Sequence, residues 1–146
     1  MPLNLQDFTV HDVSHFPIVH LRPGAAQPGY AEPWEKEMNI LLTSDTPFVV
    51  IFPANGTEET HEDRKRRGIW LKKNKKALGR ACLSLITIEP DSLKRVALKA
   101  QALMAVKAFG VPIEVFTTPE EASSRAKLLI TTAIERGPTS GGEPKS

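Results

Sequence analysis

The stretch Phe48-Val-Val-Ile-Phe52 is five apolar residues in a row, closed by Pro53. A run of that length without polar alternation reads as a β-strand covered on both faces, the kind found where helices flank a parallel sheet. Cys82-Leu-Ser-Leu-Ile-Thr-Ile88 is a second such run, ended by Glu89-Pro90. Segments long enough for helices of more than ten residues separate and follow these runs. Strands and helices alternating in this way imply parallel crossovers and an α/β fold. With 146 residues, the chain makes one domain, and about two thirds of the surface exposed on unfolding is buried in a chain of that size. It needs no disulfide or metal to hold a core.

Tyr30, Trp34, Met38 and Leu41 recur at helical spacing, with Pro33 tolerable in a first turn and Pro47 ending the helix near Asp45. Thr57 is placed to cap a helix running to Arg80, interrupted in composition by Gly68. Asp91 or Ser92 caps a third helix to Phe109, in which Leu93, Val96, Ala97, Ala100, Leu103, Met104 and Ala108 are apolar and Gly110 is the stop. Pro112 leads into a last strand, Ile113 to Phe116. Thr118-Pro-Glu-Glu121 is a capping box with proline in the first helical position, opening a helix to about Arg136. Near the N-terminus, Phe8 to His11 and Phe16 to Arg22 read as two short strands, with Pro17 marking an edge or a strand start. Their closeness in sequence favours antiparallel pairing, so the sheet is mixed, of four to five strands with about four helices. The domain occupies residues 1–136. Residues 137–146 hold three Gly, two Pro and two Ser without an apolar side chain and read as a disordered tail.

The formal net charge of +2 conceals a segregation. Residues 64–80 contain nine basic side chains and no acidic one, leaving ten basic against seventeen acidic elsewhere, a balance of −7. On one helix, Trp70, Leu71, Ala77, Leu78 and Ala81 cluster on one side. Arg64, Lys65, Lys72, Lys73, Lys75, Lys76 and Arg80 cover the other, with Arg67 and Asn74 interrupting the apolar side. A cationic face of this kind receives phosphates of nucleic acid, an acidic lipid surface, a small anion or an acidic protein. Nucleic acid ranks last, because Trp70 falls on the core side and no platform of exposed aromatics or nucleic-acid motif accompanies the charge.

Three strings carry a family resemblance: Pro47-Phe-Val-Val50; Trp70-Leu-Lys-Lys-Asn-Lys-Lys-Ala-Leu-Gly-Arg80 running into the strand at Cys82; and Val115-Phe-Thr-Thr-Pro-Glu-Glu-Ala122. With the order of elements, they resemble the SpoIIAA-like branch of the STAS fold, anti-sigma-factor antagonist-like proteins related in shape to Sec14-type lipid binders. In such proteins a Trp-Leu helix ending in a basic residue precedes a central strand, and a Phe-x-x-x-x-Glu-Ala turn opens the last helix. The resemblance spans most of residues 16–130, and its motifs are structural rather than chemical. Regulatory members carry a phosphorylatable Ser in an Asp-Ser pair after the strand corresponding to Phe48–Phe52. Here Ala54-Asn-Gly-Thr57 stands instead. Thr57 is the nearest hydroxyl, a helix N-cap first and a candidate regulatory site second.

The remaining chemistry is sparse. His11, His15, His20 and His61 show no paired helical spacing suited to a metal and read as half-buried or surface histidines. His61-Glu-Asp63 reads as first-turn charge. Cys82, the one cysteine, opens a buried strand and reads as packed core, in keeping with a reducing compartment. No phosphate-cradling glycine pattern or nucleophile elbow is present. No apolar segment approaches the roughly 18–20 residues needed to span a bilayer, and Met1 to Val10 lacks the pattern of a leader. The expectation is a cytoplasmic, non-catalytic regulatory or interaction module without cofactor or metal. An acidic protein would meet its basic helix and the Thr57 loop. The alternative is a domain binding an apolar or anionic small ligand or lipid in a pocket between the sheet and the helices carrying Trp34 and Trp70. Pairing through N-terminal edge strands would make a homodimer.

Overall fold

The computed structural model describes residues 3–53 and 59–136. Thr57 and the tail expected at 137–146 therefore lie outside the described residues. A 3-10 turn at Leu5–Asp7 leads into β1 (His11–Asp12) and β2 (Ile18–Leu21), followed by α1 (Ala31–Thr43) and β3 (Phe48–Phe52). Then come α2 (His61–Lys73), α3 (Lys75–Ala81), β4 (Cys82–Ile88), α4 (Ser92–Phe109), β5 (Ile113–Phe116) and α5 (Pro119–Glu135). The fold is α/β, a single domain with one mixed sheet of five strands and five helices.

The sheet order is β1-β2-β3-β4-β5. β1 pairs antiparallel with β2, and every later neighbour pair is parallel. Right-handed crossovers between sequential parallel strands return to the same side each time, so the connecting helices stack on one face. Accordingly Trp34, Met38 and Leu41 of α1, Trp70 and Leu71 of α2 and Leu78 of α3 share one core with Phe48, Val50 and Leu85. The other face is covered by α5, whose Ala122 and Ala126 pack on Val49, Ile51, Ile86 and Ile88. Because both faces of β3 are covered, Phe48 to Ile51 are all buried.

Several boundaries follow from capping. Asp91 accepts from the Leu93 and Lys94 amides at the start of α4, and Gly110 closes that helix at φ 76°. Thr118 accepts from Glu121 N–H, the first bond of the capping box, while Glu121 accepts from the Thr117 N–H one residue before the cap. Other boundaries depart from expectation. The helix expected from Thr57 to Arg80 begins at His61, capped by Thr60, and breaks at Asn74 rather than Gly68. Asn74 leaves helical geometry (φ −105°, ψ 21°), and its side-chain amide donates to the Trp70 carbonyl 2.9 Å away, a local bond that competes with the helix ladder. The strand expected at Phe8–His11 is reduced to His11–Asp12, because the amides of Thr9, Val10 and His11 donate to the Glu37 carboxylate instead of a strand. Pro17 precedes a strand start. β2 is interior, and the N-terminal edge is β1, only two residues long.

Candidate functional site

The cationic surface is built by α2 and α3 together. Thr60 Oγ1 accepts from the Asp63 amide, which sets the start of α2, and Asp63 turns inward. Its carboxylate accepts from the Gly29 amide at 2.8 Å, the Ala31 amide at 3.2 Å and the Thr60 hydroxyl at 2.9 Å. Burial pushes this carboxyl up, and those three bonds outweigh it, holding it below the usual range. Asp63 is thus not the solvated first-turn charge read from sequence, but the tie between α2 and the start of α1. With α2 anchored there, Trp70, Leu71 and Leu78 are buried, while Arg64, Lys65, Lys72, Lys73, Lys75, Lys76 and Arg80 are all exposed. The sequence divides the two sides correctly, but the break at Asn74 distributes the cations over two helices.

Arg64 approaches Glu59 at 3.6 Å. Among the described residues, Lys65, Lys72, Lys73, Lys75, Lys76 and Arg80 have no ion-pair partner. Arg66 pairs with Glu35 at 2.7 Å. Arg67, placed by its spacing on the apolar side, is accommodated there by Glu59, which it grips through Nε and Nη2, and by the Trp34 ring 5.6 Å from its guanidinium carbon. The Tyr30 hydroxyl also donates to Glu59, at 2.6 Å. Burial raises the Glu59 carboxyl, yet the Arg67 and Tyr30 bonds prevail and lower it. Burial drives the Tyr30 hydroxyl in the opposite direction, well above the phenolic range.

Trp34 and Trp70, expected near a pocket between the sheet and their helices, pack against each other. The two indoles meet edge to face with centroids 5.2 Å apart, and they are 2% and 6% exposed. Trp70 Nε1 donates to Asn39 Oδ1 at 3.2 Å. Two side chains this large at the centre of the α1–α2 contact leave no ligand space between them. Concavities open instead on either side of α2. One, of about 740 Å³, lies between α1 and α2 among Glu32, Glu35, Lys65 and Arg66. The other, of about 800 Å³, opens at the carboxyl ends of β3 and β4. Leu71, Leu85 and Phe109 line it with Arg64, Arg67 and Lys94. Open α/β sheets commonly bind ligands beyond the carboxyl ends of their strands.

Of the histidines, His15, His20 and His61 are half-buried or exposed as expected, and His11 alone departs. His11 is fully buried, and its Nδ1 lies 2.8 Å from Glu37 Oε1. Burial raises the Glu37 carboxyl, but the His11 ring and the amides of Val10, Thr9 and His11 overcome it and bring it down to about 2. The signal existed in the sequence: Glu37 falls between Trp34 and Leu41 on the apolar face of α1. An acid at such a position needs buried donors. His15 and His20 stack edge to face at 6.3 Å, and His61 is exposed. Cys82 is buried, and burial pushes its thiol up to about 12, far from nucleophilic use. Among the described residues, no group of three His, Cys, Asp or Glu side chains converges as a metal set, and no helix is long and apolar enough to cross a membrane.

Comparison with protein-family models, with curated proteins and with solved structures returned no match.

Proposed function

We propose that the protein is a non-catalytic interaction module of the STAS, SpoIIAA-like kind, acting in the cytoplasm and receiving an acidic protein partner on α2 and α3. The observation that carries this reading is the exposed cationic surface that residues 64–80 of these helices form, a stretch without an acid. Eight cations of α2 and α3 are exposed, and six of them lack an ion-pair partner among the described residues. Surface cations in ordinary proteins are interspersed with acids, and a field of one sign steers and selects an oppositely charged partner. The element order supports the family resemblance. Thr57, five residues beyond the end of β3, remains the candidate regulatory hydroxyl.

The test is an affinity capture from the native organism with the wild type and with Lys72, Lys73, Lys75 and Lys76 changed to Glu. A specific protein recovered by the wild type and lost by the variant is the expected result. Capture of nothing specific, or capture that survives the reversal, overturns the reading.

The cleft of about 800 Å³ favours a second reading, binding of a small amphipathic anion, since apolar walls there adjoin Arg64, Arg67 and Lys94, of which Lys94 has no ion-pair partner among the described residues, while Glu59 and Glu89 also border the cleft. That cleft lies between the sheet and α2, the helix carrying Trp70, although neither Trp34 nor Trp70 lines it. A thermal shift produced by fatty acids or phosphoinositides and abolished by Arg64→Glu with Lys94→Glu would support it, and no shift with either ligand class would remove it.

A further inference from the structure

Helix α4 turns its apolar face away from the core. At about 100° per residue, Leu93, Val96, Ala97, Ala100, Leu103 and Met104 fall within one arc of about 120°. All six are exposed, Leu93 by 81%, Val96 by 66% and both Leu103 and Met104 by 76%. The helix is held from its other side, where Ala102 is buried, Leu98 and Phe109 are half-buried, and β5, α3 and α2 make contact. A helix-periodic apolar set is ordinarily the buried face. Contiguous apolar patches of this kind on a protein surface mark interaction sites.

The charge carried by α4 itself has one sign. Lys94, Arg95, Lys99 and Lys107 lie on α4, and no acidic residue occurs between Ser92 and Phe109. Lys94 and Lys99 stand on opposite flanks of the apolar arc, at about 100° and 240° when Leu93 is set to zero. The neighbouring α3 contributes exposed Lys75, Lys76 and Arg80. A second copy seated on this face would bring like charges together, with no acid on α4 to pair them. The face belongs to one helix, bordered on its β5 side by a shallow apolar concavity of about 430 Å³ that includes Ala100 and Leu103.

We propose that α4 docks on an anionic lipid surface, lying in its plane with Leu93, Val96, Leu103 and Met104 at the boundary between headgroups and acyl chains. Lys94 and Lys99 extend from the two flanks to lipid phosphates, their aliphatic stems following the apolar face. The cations of α3 add attraction that weakens as salt rises.

Co-sedimentation with vesicles tests this, using equal parts phosphatidylcholine and phosphatidylglycerol against phosphatidylcholine alone. The wild-type protein should partition onto the anionic vesicles about tenfold more strongly than onto neutral ones, and Leu103→Glu with Met104→Glu should lower that partition by about tenfold or more. Both positions are exposed, so the double variant should melt as the wild type does. A separate variant, Lys94→Glu with Lys99→Glu, should weaken anionic binding while keeping the fold. Failure of the wild type to bind anionic vesicles overturns the proposal. So does binding that the Leu103 and Met104 changes leave intact, which would assign it to the cations of α2 and α3 alone. A wild-type dimer in sedimentation equilibrium that the same changes dissociate also overturns it, since a second copy would then cover the face.

Discussion

Glu37 shows how one side chain substitutes for a strand. Its two carboxylate oxygens take the amides of Thr9, Val10 and His11 and the His11 ring, supplying acceptors that a sheet neighbour would otherwise provide. Its folded carboxyl lies near 2 against an ordinary 4.5. A depressed value means that the stabilisation is complete above about pH 4.5 and is lost as pH falls toward 2. A shift of that size is worth on the order of 3 kcal/mol. Urea unfolding of the wild type should therefore weaken steeply across that window. Glu37→Gln should cost about 1–3 kcal/mol at neutral pH and flatten the acid limb; an unchanged acid limb would show that Glu37 does not carry it. Arg67 is the companion case. Its place on an apolar helix face is legible from spacing, but its partners Glu59 and Trp34 lie 8 residues back and on another helix, and only folding brings them together.

The elements were legible where their caps are local. Asp91, Gly110 and Thr118 with Glu121 each act within a few residues, and the ends of α4 and the start of α5 lie where those residues place them. The break between α2 and α3 was not, because Asn74 is unremarkable until Trp70 is buried behind it. Two glycines at this level separate propensity from packing. A Cβ on Gly68 would meet nothing within 4 Å, whereas one on Gly79 would lie 2.9 Å from the Gly110 carbonyl oxygen. Gly110 itself holds a positive φ, and a Cβ there would meet the Lys75 side chain at 2.7 Å. Gly68→Ala should raise the melting temperature by about 2–4 °C through helix propensity. Gly79→Ala should lower it by a similar amount despite the same propensity gain, because backbone must move to admit the methyl group. Equal shifts in calorimetry would show that the α3–Gly110 approach is loose.

Across the whole molecule, the formal charge of +2 is the sum of two unlike surfaces. Changing four cations to Glu brings the net charge to −6 wherever they lie, yet the layout makes location decisive. With Lys72, Lys73, Lys75 and Lys76 reversed, the protein should lose retention on a cation exchanger at neutral pH. With exposed Arg22, Lys36, Lys127 and Arg136 reversed instead, it should still bind. Equal elution of the two variants would mean that net charge governs and that the cationic surface has no separate identity.

The amino-acid sequence by itself determined the α/β class, the two buried strands and the division of α2 and α3 into an apolar and a cationic side. Each of these depends on periodicity, on capping chemistry or on charge count, which are properties of neighbours along the chain. Tertiary structure alone decided that Glu37 serves the amides leading into β1, that Trp34 and Trp70 pack edge to face on each other, and that the apolar arc of α4 faces outward. Those outcomes depend on which surfaces meet. Helical periodicity shows that an apolar face exists, but its direction is set by the strands the helix connects and by the side of the sheet to which its crossover returns.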